Sequence, residues 1–352
     1  MVRKVAILGA GIGQQHLTAF LELPHHFNVE LIVDQDLARA EALAQSSGSV
    51  VSSEIETALG NPDLDLIDIC LPPHLHVPVS LTALKAGKHV ICEKPVSTSL
   101  SELDEISAVS LKSGRRFYPV FQYRWGPSLS VLRSLIEKGF AGKPHTASIE
   151  THWNRGADYY ANAWRGTWDG EKGGAVLGHA IHNHDLLTHI MGPVSAVSAL
   201  TATRINPIET EDCAALCFEM ENGALATSSI TLGHATNETR LRFIFENFTA
   251  TSGTEPYAPG TIPWRFVARD PSRQSALDNE IDQVPVERTG FAGFFEEIAM
   301  DISGRPNTAV TFEDGYRSIS LVTAIYQATR TGERVALPVS KDSPYYSGWQ
   351  PS

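Results

Sequence analysis

The sequence predicts a doubly wound parallel α/β domain followed by an α+β domain that is built on an open, mostly antiparallel sheet. In the first third of the chain, short and nearly continuous apolar runs alternate with helical patterns, which is typical of a parallel sheet covered on both faces. After about residue 124 the runs become longer and alternate apolar with polar residues, as in a sheet with one buried face. We therefore expect one domain at 1–123 and a second at 124–352.

Length, composition and charge restrict the class of protein. A chain of 352 residues with 42% apolar residues is long enough for two folded domains. The formal net charge of -12, without a basic cluster, argues against nucleic acid or an anionic membrane as partner. The four cysteines form no CxxC pair, no apolar run could span a bilayer, and glycines interrupt the first apolar run. We expect a cytoplasmic protein without a signal peptide.

The elements of the first predicted domain follow in strict alternation. Apolar strand patterns lie at 5–9, 29–34, 64–72, 89–93 and 116–122. Helical patterns follow the first four strands, ending near residue 23 and covering 37–44, 76–87 and 101–114. Gly87 and Gly114 are typical helix-ending residues, since glycine readily adopts the left-handed conformation found there.

The second predicted domain begins with a helix at 128–139. Alternating strand patterns follow at 145–153, 194–204, 212–220, 224–232 and 239–247. Asn222 and Gly223 separate two of these strands, and this dipeptide is a strong signal for a β-hairpin. Two helical patterns at 290–304 and 313–332 complete the domain.

A glycine-rich turn joins the first strand to the first helix. Its candidate cofactor-binding residues are Gly9, Gly11, Ile12 and Gly13. The spacing is one residue shorter than the usual dinucleotide-binding turn, but its position lets backbone amides approach a pyrophosphate. Asp34 ends the second strand and is placed to accept hydrogen bonds from the adenosine ribose. Asp34 and Asp36 would repel a 2′-phosphate, so we expect NAD rather than NADP, although Arg39 opposes this preference.

The segment 173–189 contains four histidines and one aspartate among apolar residues. It could be a metal site, a proton-transfer site or a histidine-rich core helix. On a helix His179 and His182 share a face, but His189 lies roughly 15 Å from His179, too far to share one zinc ion. No HExxH motif or cysteine cluster supplies a further ligand. We expect no metal, and we expect His184 to be a core or surface residue.

Four motifs in order carry a family resemblance: GAGIGQQH at 9–16, ICLPPHLH at 69–76, CEKP at 92–95 and GGAVLGHAIHNHDLL at 173–187. Together they resemble the Gfo/Idh/MocA family of oxidoreductases over nearly the whole chain. This resemblance implies a Rossmann domain followed by an open-faced sheet domain. It also implies reversible oxidation of a sugar or cyclitol hydroxyl by a nicotinamide cofactor.

The resemblance further implies roles for particular residues. Lys94 would lie between nicotinamide and substrate, and His182 would be the acid/base with Asp185 as its partner. The cofactor pocket would be lined by Leu71, Pro72, His76, Glu93 and Lys94. A histidine suits proton removal at neutral pH, and a lysine ammonium stabilises charge that develops on the substrate oxygen.

The sequence departs from the family at Gly178, where many members carry an Asp or Asn. His179, the next residue, is our candidate to take over part of that function. The departure leaves the proton relay and the substrate open, but not the cofactor.

An aromatic segment with two arginines, at 153–168, precedes the histidine segment. Aromatic rings stack on sugars, and arginines bind hydroxyls, carboxylates or phosphates. Our candidate substrate-binding residues are Arg165, Trp164, Tyr160, Arg155 and Arg124. Three alternatives remain open: the aromatics fill the core of the sheet domain, Arg165 contacts cofactor phosphate, and Arg124 forms a structural ion pair.

Three functional hypotheses follow. The first is an NAD-dependent dehydrogenase that acts on a secondary hydroxyl of a sugar, sugar derivative or cyclitol. The second is a non-catalytic nucleotide-binding regulator on the same fold, and the third is a metal-dependent hydrolase or aldolase that uses His179 and His182. An open sheet leaves one face to be covered, so we also expect a homodimer or homotetramer assembled through the second domain.

Overall fold

The computed structural model of the protein describes residues 2–351. The strands are β1 (Arg3–Leu8), β2 (Phe27–Val33), β3 (Val50–Ser52), β4 (Leu66–Ile69), β5 (His89–Cys92), β6 (Phe117–Pro119), β7 (Pro144–Asn154), β8 (Val194–Ala202), β9 (Cys213–Met220), β10 (Leu225–Thr231), β11 (Gly233–Phe245), β12 (Phe248–Thr251), β13 (Arg265–Ala268) and β14 (Val335–Ala336). The helices are α1 (Gly13–Leu21), α2 (Leu37–Ala44), α3 (Ile55–Leu59), α4 (His76–Lys85), α5 (Leu100–Ser113), α6 (Pro127–Glu137), α7 (Ala157–Tyr160), α8 (Ile181–Met191), α9 (Gln274–Asp282), α10 (Gly290–Ile302) and α11 (Phe312–Thr331).

The first unit is a six-stranded parallel sheet in the order β3-β2-β1-β4-β5-β6. The chain runs outward from β1 to β3 and then returns to add β4 on the other side of β1. Ligands of such sheets bind beyond the carboxyl ends of the strands where the order reverses. The segments that follow β1, β4 and β5 are therefore the expected binding edge, and the predicted doubly wound fold is confirmed.

The first unit also includes residues from late in the chain. It combines the chain up to Gln122 with the segment Phe291–Tyr316, and the second unit holds the remainder. The predicted domain boundary after residue 123 assigns α10 to the second domain. In the structure Phe295 of α10 stacks on Phe20 at a centroid distance of 4.0 Å. The apolar face of α10 thus completes the core of the first unit.

The second unit contains an eight-stranded sheet in the order β13-β12-β11-β7-β10-β9-β8-β14. All neighbouring strands are antiparallel except β7 and β10, which are parallel. Gly223 has a φ of +87° in the turn between β9 and β10, as the predicted hairpin requires. The mostly antiparallel sheet is therefore confirmed.

One face of the second sheet is covered by α8. Asn183 of α8 donates a hydrogen bond to Thr151 at 2.8 Å, and His184 lies 3.0 Å from the Ser228 hydroxyl. Along β9 and β10 buried and exposed residues alternate, and Leu200 and Leu225 expose 73% and 59% of their surface. The opposite face is therefore open in the single chain.

The predicted elements agree with the structure except where elements are short. Several short elements were not predicted: β3, β12, β13, β14, α3, α7 and the nine-residue α9. A turn of π-helix at Val176–Ala180 precedes α8 and was also not predicted. Within residues 2–351 no helix combines the length and the apolar character needed to cross a membrane.

Candidate functional site

The glycine turn after β1 fits close to the end of β4. Gly9 has a φ of +102°, and a Cβ there would lie 2.4 Å from the carbonyl oxygen of Cys70. A Cβ on Gly13 would lie 2.8 Å from the Ile7 side chain, whereas one on Gly11 would meet nothing within 4 Å. The turn is thus tight on its inner side and open at Gly11, next to Ile12 at the start of α1. This is the space that a pyrophosphate needs.

Asp34 follows β2 and is 7% exposed. Its carboxylate accepts hydrogen bonds from the Ala10 N–H at 2.7 Å and the Asp36 N–H at 2.9 Å. Arg39 donates to the same carboxylate from Nη2 at 2.7 Å and from Nε at 3.2 Å. Burial opposes ionisation of Asp34, but these hydrogen bonds outweigh it and lower its pKa. Asp34 is therefore an anchored carboxylate at the end of the strand where ribose binds in this type of fold.

The loop after β4 is fastened by His76. Its Nε2 lies 2.7 Å from the carbonyl oxygen of Leu71, and its Nδ1 lies 2.7 Å from that of Pro95. The ring is 1% exposed, and burial lowers the pKa of His76. His76 therefore joins the loop that contains Leu71 and Pro72 to the segment after β5. Direct contact of these residues with a cofactor stays a prediction.

Glu93 and Lys94 follow β5 at the same edge of the sheet. Glu93 is buried, and its Oε2 accepts a hydrogen bond from the Lys94 N–H at 3.0 Å. Its Oε1 lies 3.2 Å from Nε2 of His16, and Nδ1 of that ring lies 2.9 Å from Asp68. Lys94 is half-buried. The hydrogen bond to the Glu93 carboxylate thus holds the main chain of Lys94, from which its side chain extends.

His179 and His182 are both 5% exposed. His179 lies in the π-helical turn, with its ring centroid 5.5 Å from that of Trp153 and 5.6 Å from that of Tyr159. His182 lies in the first turn of α8 and stacks on Tyr123 at 4.4 Å. Both rings are therefore fixed in orientation by aromatic neighbours.

Arg124 and Asp185 form a buried bidentate ion pair. Nε of Arg124 donates to Oδ2 at 2.8 Å and Nη2 donates to Oδ1 at 2.5 Å. The side chains are 4% and 2% exposed. Two of its guanidinium nitrogens thus pair with Asp185, and contact of Arg124 with a substrate stays a prediction. The geometry fits the alternative of a structural ion pair.

Glu211 was not predicted as part of the site, although it anchors the segment that leads into the histidines. Its carboxylate accepts hydrogen bonds from Gly174 N–H at 3.2 Å, Val176 N–H at 3.0 Å and Tyr326 Oη at 3.0 Å. Burial raises the pKa of Glu211 to about 7, against the opposing effect of these hydrogen bonds. The residue is 37 positions from Gly174, so no local pattern indicates the contact.

His184 is a core histidine, as expected. It lies 3.0 Å from the Ser228 hydroxyl and packs edge-on against Phe218, and burial lowers its pKa to about 4.

The aromatic segment forms a cation–aromatic cluster. The Arg155 guanidinium lies 5.0 Å from the Trp153 ring and 5.2 Å from the Tyr159 ring. The Arg165 guanidinium lies 4.0 Å from Tyr159 and 4.5 Å from Trp164, which is 38% exposed. Arg165 also pairs with Glu171 at 3.2 Å.

A surface cavity of about 560 Å³ adjoins this cluster. Its lining consists of Asn154, Arg155, Gly156, Ala157, Asp158, Tyr159 and Tyr257. The Arg155 Nη2 donates to the Tyr257 hydroxyl at 2.9 Å. Of the predicted substrate residues, Arg155 lines this cavity, whereas Arg165, Trp164 and Tyr160 do not. Tyr257 lies in an irregular loop and carries no sequence signal.

Within the described part of the chain, one group of histidine, cysteine and acidic side chains brings its ligand-type atoms within 4.8 Å of one another. The group consists of His16, Asp68 and Cys70. It lies under the glycine turn and not in the histidine segment. The 2.9 Å separation of His16 Nδ1 and Asp68 Oδ2 is that of a hydrogen bond.

Two family models match the chain. Residues 3–121 match the model described as an oxidoreductase family with an NAD-binding Rossmann fold, and residues 130–251 match the GFO/IDH/MocA C-terminal domain. Together they cover most of both predicted domains, so the predicted NAD-binding domain is confirmed.

Individual proteins are similar over different lengths. The oxidoreductase YrbE of Bacillus subtilis is 32% identical over 62% of the chain, and the match spans 64% of YrbE, less than two thirds of its length. D-glucoside 3-dehydrogenase of Escherichia coli is 23% identical over 95% of the chain and 97% of its own length. The structure of the WlbA dehydrogenase of Chromobacterium violaceum with NADH and UDP-GlcNAcA has a TM-score of 0.84 at 25% identity, covering 96% and 97% of the two chains.

Proposed function

Because the chain belongs to the Gfo/Idh/MocA oxidoreductase family, we propose that it is an NAD-dependent dehydrogenase that reversibly oxidises a secondary hydroxyl of a sugar, sugar derivative or cyclitol. One observation carries this proposal. A complete nucleotide-binding edge, with Lys94 next to the anchored Glu93, occurs in the same chain as the aromatic-bound His182. A relative named D-glucoside 3-dehydrogenase and a structural neighbour in complex with NADH and UDP-GlcNAcA support the substrate class.

The residues at the nucleotide-binding edge fit NAD. The open space at Gly11 accommodates the pyrophosphate beside the start of α1, and the Asp34 carboxylate is placed for ribose hydroxyls. When bound, NAD accepts the hydride that leaves the substrate carbon. The protein binds the cofactor, orients the substrate and handles the proton.

His182 is the proposed acid/base. An imidazole removes the hydroxyl proton efficiently near neutral pH, and stacking on Tyr123 fixes the plane of the ring. Lys94 is the proposed electrostatic catalyst, because an ammonium beside the reacting oxygen stabilises the negative charge that develops on it. Asp185 lies one turn after His182 on α8, and its buried carboxylate is paired with Arg124.

The cavity beside the aromatic cluster is the proposed binding place for part of the substrate. Tyr159 and Tyr257 offer ring surfaces for a sugar, and Arg155 offers a cationic group. His179 lies against Tyr159, and this contact supports its assignment as a second proton-handling residue next to the cavity.

Alanine variants test the roles of Lys94 and His182. Each should lower turnover about 10²- to 10⁴-fold while the protein remains folded by circular dichroism. Lys112→Ala and His25→Ala remove an exposed lysine and an exposed histidine from the first unit and should leave turnover unchanged. Near-normal turnover in both test variants would reject the assignment.

We further propose that the protein is a cytoplasmic homo-oligomer that assembles through the open face of the second sheet. All four cysteines are free thiols, as is usual in a reducing compartment. The exposed side chains of Leu200 and Leu225 on that sheet support an interface. Light scattering of the purified protein measures the assembly, and a monomer would reject it.

A further inference from the structure

A histidine that the proposed reaction does not use is completely buried between two acids. His16 of α1 and Asp68 of β4 are 0% exposed, and Glu93 after β5 is 7% exposed. Nδ1 of His16 lies 2.9 Å from Oδ2 of Asp68, and Nε2 lies 3.2 Å from Oε1 of Glu93. The ring thus connects three elements of the first unit.

The two acidic partners of this ring favour its protonated form. A neutral imidazole has one N–H and would direct a lone pair at one of the two carboxylates. An imidazolium donates to both. Burial by itself lowers the pKa of His16, but the Asp68 carboxylate and the Cys70 sulfur together outweigh it and raise the pKa well above 6.5. His16 is therefore a buried cation at neutral pH.

Three further described neighbours of the ring, Cys70, Phe291 and Phe295, are not cations. The Cys70 thiol lies 3.4 Å from Nδ1, and burial raises its pKa to about 12, so it is uncharged. From α10 the ring meets Phe291 at 4.4 Å and Phe295 at 5.4 Å. Aromatic rings favour a nearby cation and exclude water from the ion pairs.

The bridge leads directly to Lys94. While Oε1 of Glu93 faces His16, Oε2 of the same carboxylate accepts the main-chain N–H of Lys94 at 3.0 Å. Contacts at both oxygens restrict the orientation of the Glu93 carboxylate. The chain of contacts from Asp68 through His16 and Glu93 therefore fixes the main chain from which the Lys94 side chain extends.

We propose that His16 is a positioning residue of the reaction, which as an imidazolium bridges Asp68 and Glu93 and so holds Lys94 in its working place. This proposal rests on the proposed function for the role of Lys94. The bridge itself does not, so it is testable without a substrate.

Nuclear magnetic resonance tests the bridge directly. In protein labelled with ¹⁵N-histidine, one ring should retain two protonated nitrogens at pH 8, and this signal should disappear in His16→Gln. A neutral His16 ring at pH 8 would overturn the proposal. If His16→Gln does not fold, Asp68→Asn replaces it, and the same signal should then titrate at lower pH; an unshifted titration would overturn the bridge.

Turnover tests the positioning role. His16→Gln should lower kcat at least about 10-fold with a substrate KM within about 3-fold of wild type, because misplacing a catalytic group affects the transition state most. His89→Gln is the matched control, since His89 is also buried in the first unit but bonds to the Arg116 N–H at the far end of β5. It should keep the kcat of wild type even if the protein loses stability. Equal kcat in His16→Gln and wild type would overturn the role.

A double variant separates positioning from a general loss of structure. If His16 acts through Glu93, His16→Gln combined with Glu93→Gln should lose no more kcat than Glu93→Gln alone. Additive losses would overturn this route.

Competitive chemical labelling of lysines gives a readout that needs no activity. The reactivity of Lys94 relative to the exposed Lys112 should change in His16→Gln and not in His89→Gln. Absent turnover in the wild type would reject the proposed function, whereas an unchanged Lys94 reactivity would reject the positioning of Lys94 by His16.

Discussion

The guanidinium of Arg124 holds the carboxylate of Asp185 in a bidentate pair that is almost entirely buried, with contacts of 2.8 and 2.5 Å. This pair fastens the segment before α6 to the helix that carries His182. The net attraction of a buried ion pair adds little to stability, because it is offset by the cost of removing both charges from water. Removing one partner is costly, because the other charge stays buried away from water.

Arg124→Gln should therefore destabilise the protein by about 3–5 kcal/mol, since it removes the cation that pairs with the buried Asp185 carboxylate. Urea unfolding measures the loss. Arg334→Gln is the control, because Arg334 and Glu219 form the same bidentate geometry at the surface, with side chains 52% and 49% exposed. The control should show no measurable loss. Equal midpoints for the two variants would contradict the account.

Asp34→Ser should shift cofactor use towards NADP. The substitution removes the carboxylate that repels a 2′-phosphate and releases Arg39, which now donates to that carboxylate, to bind the phosphate. We expect the ratio of kcat/KM for NADP to that for NAD to rise at least about 10-fold. Asp63→Ser removes an exposed acid from the same unit and should leave the ratio unchanged. An unchanged ratio in Asp34→Ser would show that Asp34 does not face the ribose.

Glu211 should make stability depend on pH in a defined direction. Its folded-state pKa of about 7 is above its ordinary value of 4.5, so its stabilising contribution is complete below about pH 4.5 and is lost as the pH rises through about 7. The loss is up to about 3 kcal/mol for a shift of this size. The unfolding free energy of wild type minus that of Glu211→Gln should be more positive at pH 5 than at pH 8. A constant difference would contradict the raised pKa.

Gly174 and Gly178 should differ sharply in their tolerance of a side chain. A Cβ on Gly174 would lie 2.0 Å from the carbonyl oxygen of Glu211, whereas one on Gly178 would meet nothing within 4 Å. Gly174→Ala should cost about 1–3 kcal/mol through overpacking, and Gly178→Ala should remain within about 1 kcal/mol of wild type. Thermal unfolding compares the two. A larger loss for Gly178→Ala would show that the space beside the histidines is filled.

The parts of the fold that repeat regularly were predictable from sequence. The alternation of buried strands and helices indicated the first unit, and the Asn222-Gly223 turn located a hairpin to the residue. Short elements such as β14, with two residues, have no periodicity to detect. The position of α10 depends on the stacking of Phe295 on Phe20, which are 275 residues apart.

Candidate site residues could be predicted where they belong to a short sequence motif. They could not be predicted where they depend on contacts between residues far apart in the sequence. The motifs at 92–95 and 173–187 indicate Lys94 and His182 as candidates without any contact information, and their roles stay predictions. Glu211 and Tyr257 were not predicted because each forms hydrogen bonds with residues that are distant in the sequence. Asp68 lies in an apolar strand, where no pattern distinguishes it. Its partner His16 ends the motif at 9–16, but the sequence indicates no role for its ring.

NADH formation by the purified protein, measured with NAD and a panel of sugars, sugar acids, glycosides and inositols and with NADP in parallel, tests dehydrogenase activity itself. We expect turnover with one group of these compounds and a preference for NAD. Tight NAD binding by calorimetry together with no turnover across the panel would contradict dehydrogenase activity and favour a nucleotide-binding regulator.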